Sequence, residues 1–173
     1  MRKQTLAGVV FSAALLGAGI TSTFAADETL RSLAEKNDIY IGAILNSQWF
    51  SGGLPSNYEQ IHKTQFNIVV AENEMKFDAT EPSEGRFSYG NGDKMVKYAK
   101  ANGMRVRGHA LAWHSQVPGW VNNYKNDKQK LLKVLKNHIE NVVGHWKGQI
   151  DEWDVVNEAI SNNEPQWRTG SVW

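Results

Sequence analysis

Ile150-Asp151-Glu152-Trp153-Asp154-Val155-Val156-Asn157-Glu158-Ala159 is an apolar run that stops on an adjacent amide and carboxylate. Its length and β-branched content suit a buried strand, and α/β sheets carry their chemistry where such strands run out. Asn157 and Glu158 are therefore the first candidates for a functional pair. Three earlier apolar runs, at residues 39–45, 66–71 and 104–113, have the same character.

Helical patterns separate these runs. Residues 29–36 form a short amphipathic helix with Leu30, Leu33 and Ala34 on one side. Gly52-Gly53 and Pro55 mark a turn, after which Ser56 is placed to cap a helix, with Glu59 as the reciprocal partner. Residues 93–100 carry Met95, Val96 and Ala99 at helical spacing, and Asn102-Gly103 supplies a stop. Residues 127–146 have the strongest pattern. Leu131, Leu135, Ile139, Val142 and Trp146, with His138, form one stripe, while Lys128, Lys130, Lys133, Lys136 and Glu140 face mostly outward. Asn126 is expected to cap this helix, with Gln129 as its partner. Strand–helix alternation of this kind predicts an α/β fold with a parallel sheet and right-handed crossovers. Four such units make either a small open sheet or the first half of an eight-stranded barrel, and periodicity alone does not choose.

The 173 residues hold one domain with a sizeable core. Residues 1–25 stand apart from it: Arg2 and Lys3, an apolar stretch from Leu6 to Ile20, and Thr23-Phe24-Ala25 read as a secretory signal peptide cut after Ala25. The apolar stretch is shorter than the roughly 20 residues of a membrane span, so the mature form, residues 26–173, is expected to be secreted, to a periplasm or outside the cell, with no membrane partner. Without Arg2 and Lys3 the 19 basic residues fall to 17 against 18 acidic, a net charge of −1. No basic patch stands out, which argues against nucleic acid. Cysteine is absent, which excludes disulfides and thiolate chemistry.

Polar and aromatic side chains crowd three of the strand ends. The second ends in Glu72-Asn73-Glu74-Met75-Lys76, the third in Gly108-His109 through Trp113-His114-Ser115-Gln116, the fourth in Asn157-Glu158. Amides and carboxylates fork onto vicinal hydroxyls and aromatic faces stack on the C–H face of a sugar ring, so this mixture suits a carbohydrate. A phosphate site would want a glycine-rich loop opening a helix, and no such pattern is present. A metal set of His109, His114 and Glu158 fails on spacing, because positions five apart on a strand point to opposite faces. No metal or cofactor is expected.

The stretches 71–76, 108–118 and 153–159 resemble, in order and spacing, glycoside hydrolase family 10, the retaining endo-β-1,4-xylanases. The resemblance runs from about Thr29 to Trp173. It implies a (β/α)₈ TIM barrel, of which this chain holds about the first four βα units, as the N-terminal part of a catalytic domain. It also implies endo-hydrolysis of β-1,4-xylosidic bonds, with xylan and xylooligosaccharides as partners. By the same resemblance Glu158 is the general acid/base, which must stay protonated above the ordinary glutamate value of about 4.3 to donate its proton. Asn157 is the amide that binds the 2-hydroxyl of the sugar being cleaved. Lys76 and His109 contact that same sugar; Glu72, Asn73 and Gln116 hold the next one on the non-reducing side, over an apolar wall made by Trp113. His114 supports the shell around the catalytic carboxylates. A cis peptide is expected after His109.

A retaining mechanism needs a second carboxylate about 5 Å from the first. The family places it after a later strand; here the only acidic residue beyond Glu158 is Glu164, beside a proline. The chain alone is thus expected not to turn over xylan. The competing reading is a catalytically inactive fragment that binds xylooligosaccharides. Trp146 and Trp153 read as packing and Asp154 as the partner of a cation. Trp49, Trp120 and Trp167 are open between packing and substrate contact.

Overall fold

The computed structural model describes residues 28–52, 56–163 and 166–173. The expected signal peptide, most of the turn around Gly53, the Ser56 cap and Glu164 lie outside the described residues or side chains. Four strands, β1 (Gly42–Leu45), β2 (Ile68–Ala71), β3 (Arg105–Ala112) and β4 (Glu152–Val156), form one sheet in the order β1-β2-β3-β4. Every pairing is parallel. An open doubly wound sheet reverses its strand order at a switch point; a barrel does not. The unreversed order here is that of a barrel wall.

Five helices connect and cover these strands: α1 (Leu30–Lys36), α2 (Ser56–Gln65), the single turn α3 (Phe77–Thr80), α4 (Gly90–Ala101) and α5 (Lys128–His145). Thr29 and Ser32 close a reciprocal capping box at the start of α1, which satisfies two amides that the first turn leaves orphaned. Asp127, and not Asn126, caps α5 by accepting from the Lys130 amide at 3.0 Å. The 3₁₀ turn Gly119–Tyr124 sets this register: the Asp127 amide donates to the Tyr124 carbonyl, which delays helix entry by one residue.

Strand β1 is shorter than its apolar run. Asn67 explains the difference, because its side chain accepts from the Ile41 amide at 2.8 Å and donates to the Ile39 carbonyl at 3.2 Å. Those backbone groups are satisfied without a ladder, and Ile39 and Tyr40 stay exposed.

The core lies between the sheet and helices α4 and α5. Leu45, Val69 and Val106 meet Met95, Val96, Val142 and Trp146 there. On α5 the deepest line is Val134, His138 and Val142, continued by Trp146, whereas Leu131, Leu135 and Ile139 flank it half-buried. The buried stripe therefore sits one step round the helix from the expected one. Trp146 is sealed in by Gly92, whose missing side chain makes room for the indole, and its N–H donates to Asp93 at 2.9 Å. Gly108 does the same for Trp153: a Cβ at this point of β3 would overlap that indole on β4. Both tryptophans are packing residues, as expected. So are Trp49, in a ring cluster with Tyr58, His62 and Tyr98, and Trp120, edge-on to Phe77 and bonded to the Glu81 carbonyl.

The other face of the sheet carries Gly42, Ile44, Ile68, Val70, Arg107 and Glu152, which line an open hollow of about 560 Å³. Ile44 is 53% exposed and Val156 60%. Parallel sheets are ordinarily covered on both faces, and among the described residues this one is covered on one.

Candidate active site

The polar strand ends converge at the C-terminal rim of the sheet. After β2 the chain turns at once into α3, with Lys76 in the N-cap position. This brings the Lys76 side chain inward, where the residue is only 8% exposed. A buried ammonium needs compensation, and Lys76 finds it in neutral groups. It donates to Asn73 Oδ1 at 3.1 Å and Gln116 Oε1 at 2.6 Å, and lies 4.7 Å from the centre of the Trp113 ring. The Gln116 amide closes the triangle by donating to Asn73 Oδ1 at 3.2 Å. Gln116 takes a left-handed backbone, φ +48°, which bends the loop after β3 back towards β2.

Glu72 and Glu74 fasten this rim to the end of β1. Glu72 accepts from Asn46 Nδ2 at 2.9 Å, and Glu74 from the amides of Ser47 at 2.5 Å and Asn73 at 3.0 Å. Asn73, Glu74 and Gln116, with Ser47 and Asp78, line a cleft of about 330 Å³. The sequence reading passed over Asn46, although the rule that singled out the other strand ends applies equally to the residue following β1.

His109 and Asp154 face each other in register across β3 and β4. His109 Nδ1 lies 2.8 Å from Asp154 Oδ2, while Arg107 donates to Oδ1 of the same carboxylate at 3.0 Å through Nε. Burial pushes the Asp154 carboxyl up, but the bonds from Arg107 and His109 outweigh it and hold the group below its ordinary range. An ionised Asp154 accepts a hydrogen bond from His109 Nδ1 and leaves Nε2 available to a ligand. Asp154 is thus the partner of a cation, as its position in the strand implied. The peptide between His109 and Ala110 is cis.

Glu158 ends the rim. Its carboxylate meets His114 Nε2 at 2.7 Å, and Arg168 reaches within 3.8 Å of the same oxygen. Its backbone sits in the left-handed region, φ +52°, a conformation that for a non-glycine residue stores about 1–3 kcal/mol. The Trp113 indole N–H, which falls short of hydrogen-bond geometry, the His114 imidazole and, more weakly, the Arg168 charge hold the carboxyl below its ordinary value; burial opposes them and loses. The direction is opposite to the one a general acid requires. Raising the carboxyl takes burial or a neighbouring negative charge, and Glu158 is 41% exposed with cationic or donor neighbours. Glu72, Glu74 and Asp154 are each engaged elsewhere.

Asn157 donates its backbone amide to the Ala112 carbonyl at 2.8 Å, which continues the β3–β4 ladder, while its side-chain amide has no hydrogen-bond partner among the described residues. With Trp113, His114, Glu158, Trp167 and Arg168 it lines a second cleft of about 310 Å³. Trp167 is 72% exposed there.

All nine residues singled out from the sequence, Glu72, Asn73, Lys76, His109, Trp113, His114, Gln116, Asn157 and Glu158, thus lie at one rim. They fall into two contact groups, Glu72–Asn46 and Asn73–Gln116–Lys76–Trp113–His114–Glu158, with His109 set by Asp154 and Asn157 lining the cleft beside Glu158. Arg168 and Asn46 were missed.

The chain is similar to several known proteins. Endo-1,4-β-xylanase B of Thermotoga neapolitana is 39% identical over 150 residues, which are 86% of this chain and 43% of that protein. Xylanase 10B of Thermotoga petrophila, solved with xylobiose, superposes with a TM-score of 0.81 at 41% identity, over 86% of this chain and 45% of that one. Native xylanase 10B of Thermotoga maritima gives 0.79 at 42% identity, over 84% and 44% respectively. The chain therefore spans less than half the length of these relatives, and its four βα units are part of a (β/α)₈ barrel. Residues 29–173 match glycosyl hydrolase family 10, and the chain belongs to that family.

Proposed function

We propose that these residues form the sugar-holding and proton-donating half of an endo-β-1,4-xylanase site that works with retention of configuration. The observation that carries this reading is an unbroken run of contacts from Lys76 through Trp113 and His114 to Glu158, with separations of 4.7, 5.3 and 2.7 Å. A cation held only by neutral groups is a ready donor to sugar hydroxyls, and the indole beneath it offers an apolar floor. The xylobiose complex of the Thermotoga petrophila relative supports the substrate class.

In this reading Glu72, Asn73 and Gln116 hold the next sugar on the non-reducing side, and Lys76, His109 and Asn157 contact the sugar to be cleaved. Glu158 protonates the leaving oxygen and then activates the water that releases the covalent intermediate. The intermediate forms on a carboxylate that these residues do not supply. That carboxylate has a second task, since its charge would raise Glu158 from its present depressed state into the protonated form. The acid is thus armed only when its partner is in place. Export of the mature chain, residues 26–173, is part of the same proposal, because xylan is a polymer met outside the cell.

The depressed Glu158 supports the second reading for the chain by itself: binding of xylooligosaccharides without turnover. Incubation of the purified chain with an aryl β-xylobioside distinguishes the two. We expect no phenol release above that of the Glu158→Gln variant. Release that disappears in Glu158→Gln would overturn the division of labour proposed here.

A further inference from the structure

We propose that Arg168 is the positioning residue for Glu158: its guanidinium fork fixes the backbone on which the carboxylate is presented to His114. The assignment rests on the reading of Glu158 as the acid/base, and on a set of contacts that reading did not use. Arg168 Nε donates to the Glu158 carbonyl at 2.9 Å, and a terminal nitrogen reaches the Ile160 carbonyl at 3.4 Å and Asn162 Oδ1 at 3.5 Å. The same nitrogen stands 3.8 Å from Glu158 Oε2, beyond hydrogen-bond reach. The guanidinium therefore holds the Glu158 backbone by one direct bond, anchors itself on Ile160 and Asn162, and reaches the carboxylate only through charge.

This division matters because Glu158 occupies a left-handed turn, φ +52°. Such a turn persists only where its surroundings impose it. The chain returns Arg168 to the spot by a short antiparallel ladder: Ile160 bridges Trp167, the Ser161 amide donates to the Gln166 carbonyl at 2.9 Å, and the Arg168 amide donates to the Ala159 carbonyl at 2.8 Å. The side chain is only 20% exposed, although it lies in a loop. A planar fork spans two carbonyls two residues apart; a lysine ammonium is a point donor and does not. Loss of the fork frees the Glu158 backbone to leave the left-handed region, which swings the carboxylate off His114. Loss of the charge also removes one of the influences that hold the carboxyl down.

The test is a titration of the full chain carrying ¹³C-labelled glutamate and ¹⁵N-labelled histidine and arginine, followed by NMR and assigned with Glu158→Gln and Arg168→Met. Wild type, Arg168→Met and Arg168→Lys are compared. The wild-type chain should show the Arg168 Nε–H protected from solvent exchange and a His114 Nε2 shift typical of a hydrogen bond to carboxylate. Arg168→Met should lose the His114 signature and move the Glu158 midpoint upward. Arg168→Lys should lose the same signature despite keeping the charge. Retention of the signature in either variant overturns the proposal. So does a freely exchanging Arg168 Nε–H in the wild type, a readout that needs no variant to fold. None of these signals requires sugar, so failure of the chain to bind xylooligosaccharide strikes the functional reading alone.

Discussion

Lys76 shows how much of the site rests on single side chains. It is buried, its charge is met by two amide oxygens and an aromatic face, and it forms no ion pair among the described residues. Such a group is positioned in advance for hydroxyl ligands. Replacing Gln116 by alanine removes one of its acceptors and one arm of the triangle. We predict that Gln116→Ala weakens xylotriose binding about tenfold, the equivalent of one charge-assisted hydrogen bond, which calorimetry would measure. The residues of this cluster were legible in the sequence because each directly follows an apolar run. Arg168 was not, since its partner lies ten positions away and only the ladder between them brings the two together. The downward shift of the Glu158 carboxyl was not legible either. A carboxyl takes its ionisation from its neighbours, and here those are Trp113, His114 and Arg168.

At the level of elements, two buried features set stability. Gly108 lies where β3 and β4 bring their backbones against the Trp153 indole, so Gly108→Ala forces that ring to move. Overpacking of this kind costs about 1–3 kcal/mol, which should appear as a lowered urea midpoint. His62 on α2 is 2% exposed among Trp49, Phe66 and Tyr98, and neither ring nitrogen meets a hydrogen-bond partner of good geometry. Burial pulls its pKa down, with the Ile44 backbone opposing in part. The unfolded chain binds the proton near pH 6.5 and the folded chain only at lower pH, so stability falls as the pH drops below about 6.5. Each such group contributes at most about 1.4 kcal/mol per pH unit. Comparing urea midpoints at pH 7 and pH 5.5 for wild type and His62→Leu checks this: the variant should show the smaller difference. A larger difference in His62→Leu would show that His62 is not held neutral. Element types and order were readable from periodicity. Their boundaries were not, because Asn67 truncates β1 with side-chain bonds and the turn before Asp127 shifts the α5 cap.

The described residues form a barrel wall with helices on one side and an open face on the other. Ile44 and Val156 on the inner face, and Val155 on the outer, are each more than half exposed. Exposed apolar residues on strand edges invite pairing between chains. Light scattering on the isolated chain should therefore give a mass that rises with concentration, and Ile44→Lys with Val155→Lys should reduce the rise. The choice between a small open sheet and a barrel wall was the part of the architecture that periodicity left open, and strand order is what decides it. The central claim is that the sugar-holding half of a xylanase site is already assembled in these residues. An NMR titration of the chain with xylotriose tests it most directly. Saturable shifts at Asn73, Trp113 and Gln116 that vanish in Lys76→Met are expected. No saturable shift in the wild type, or shifts that survive in Lys76→Met, would contradict it.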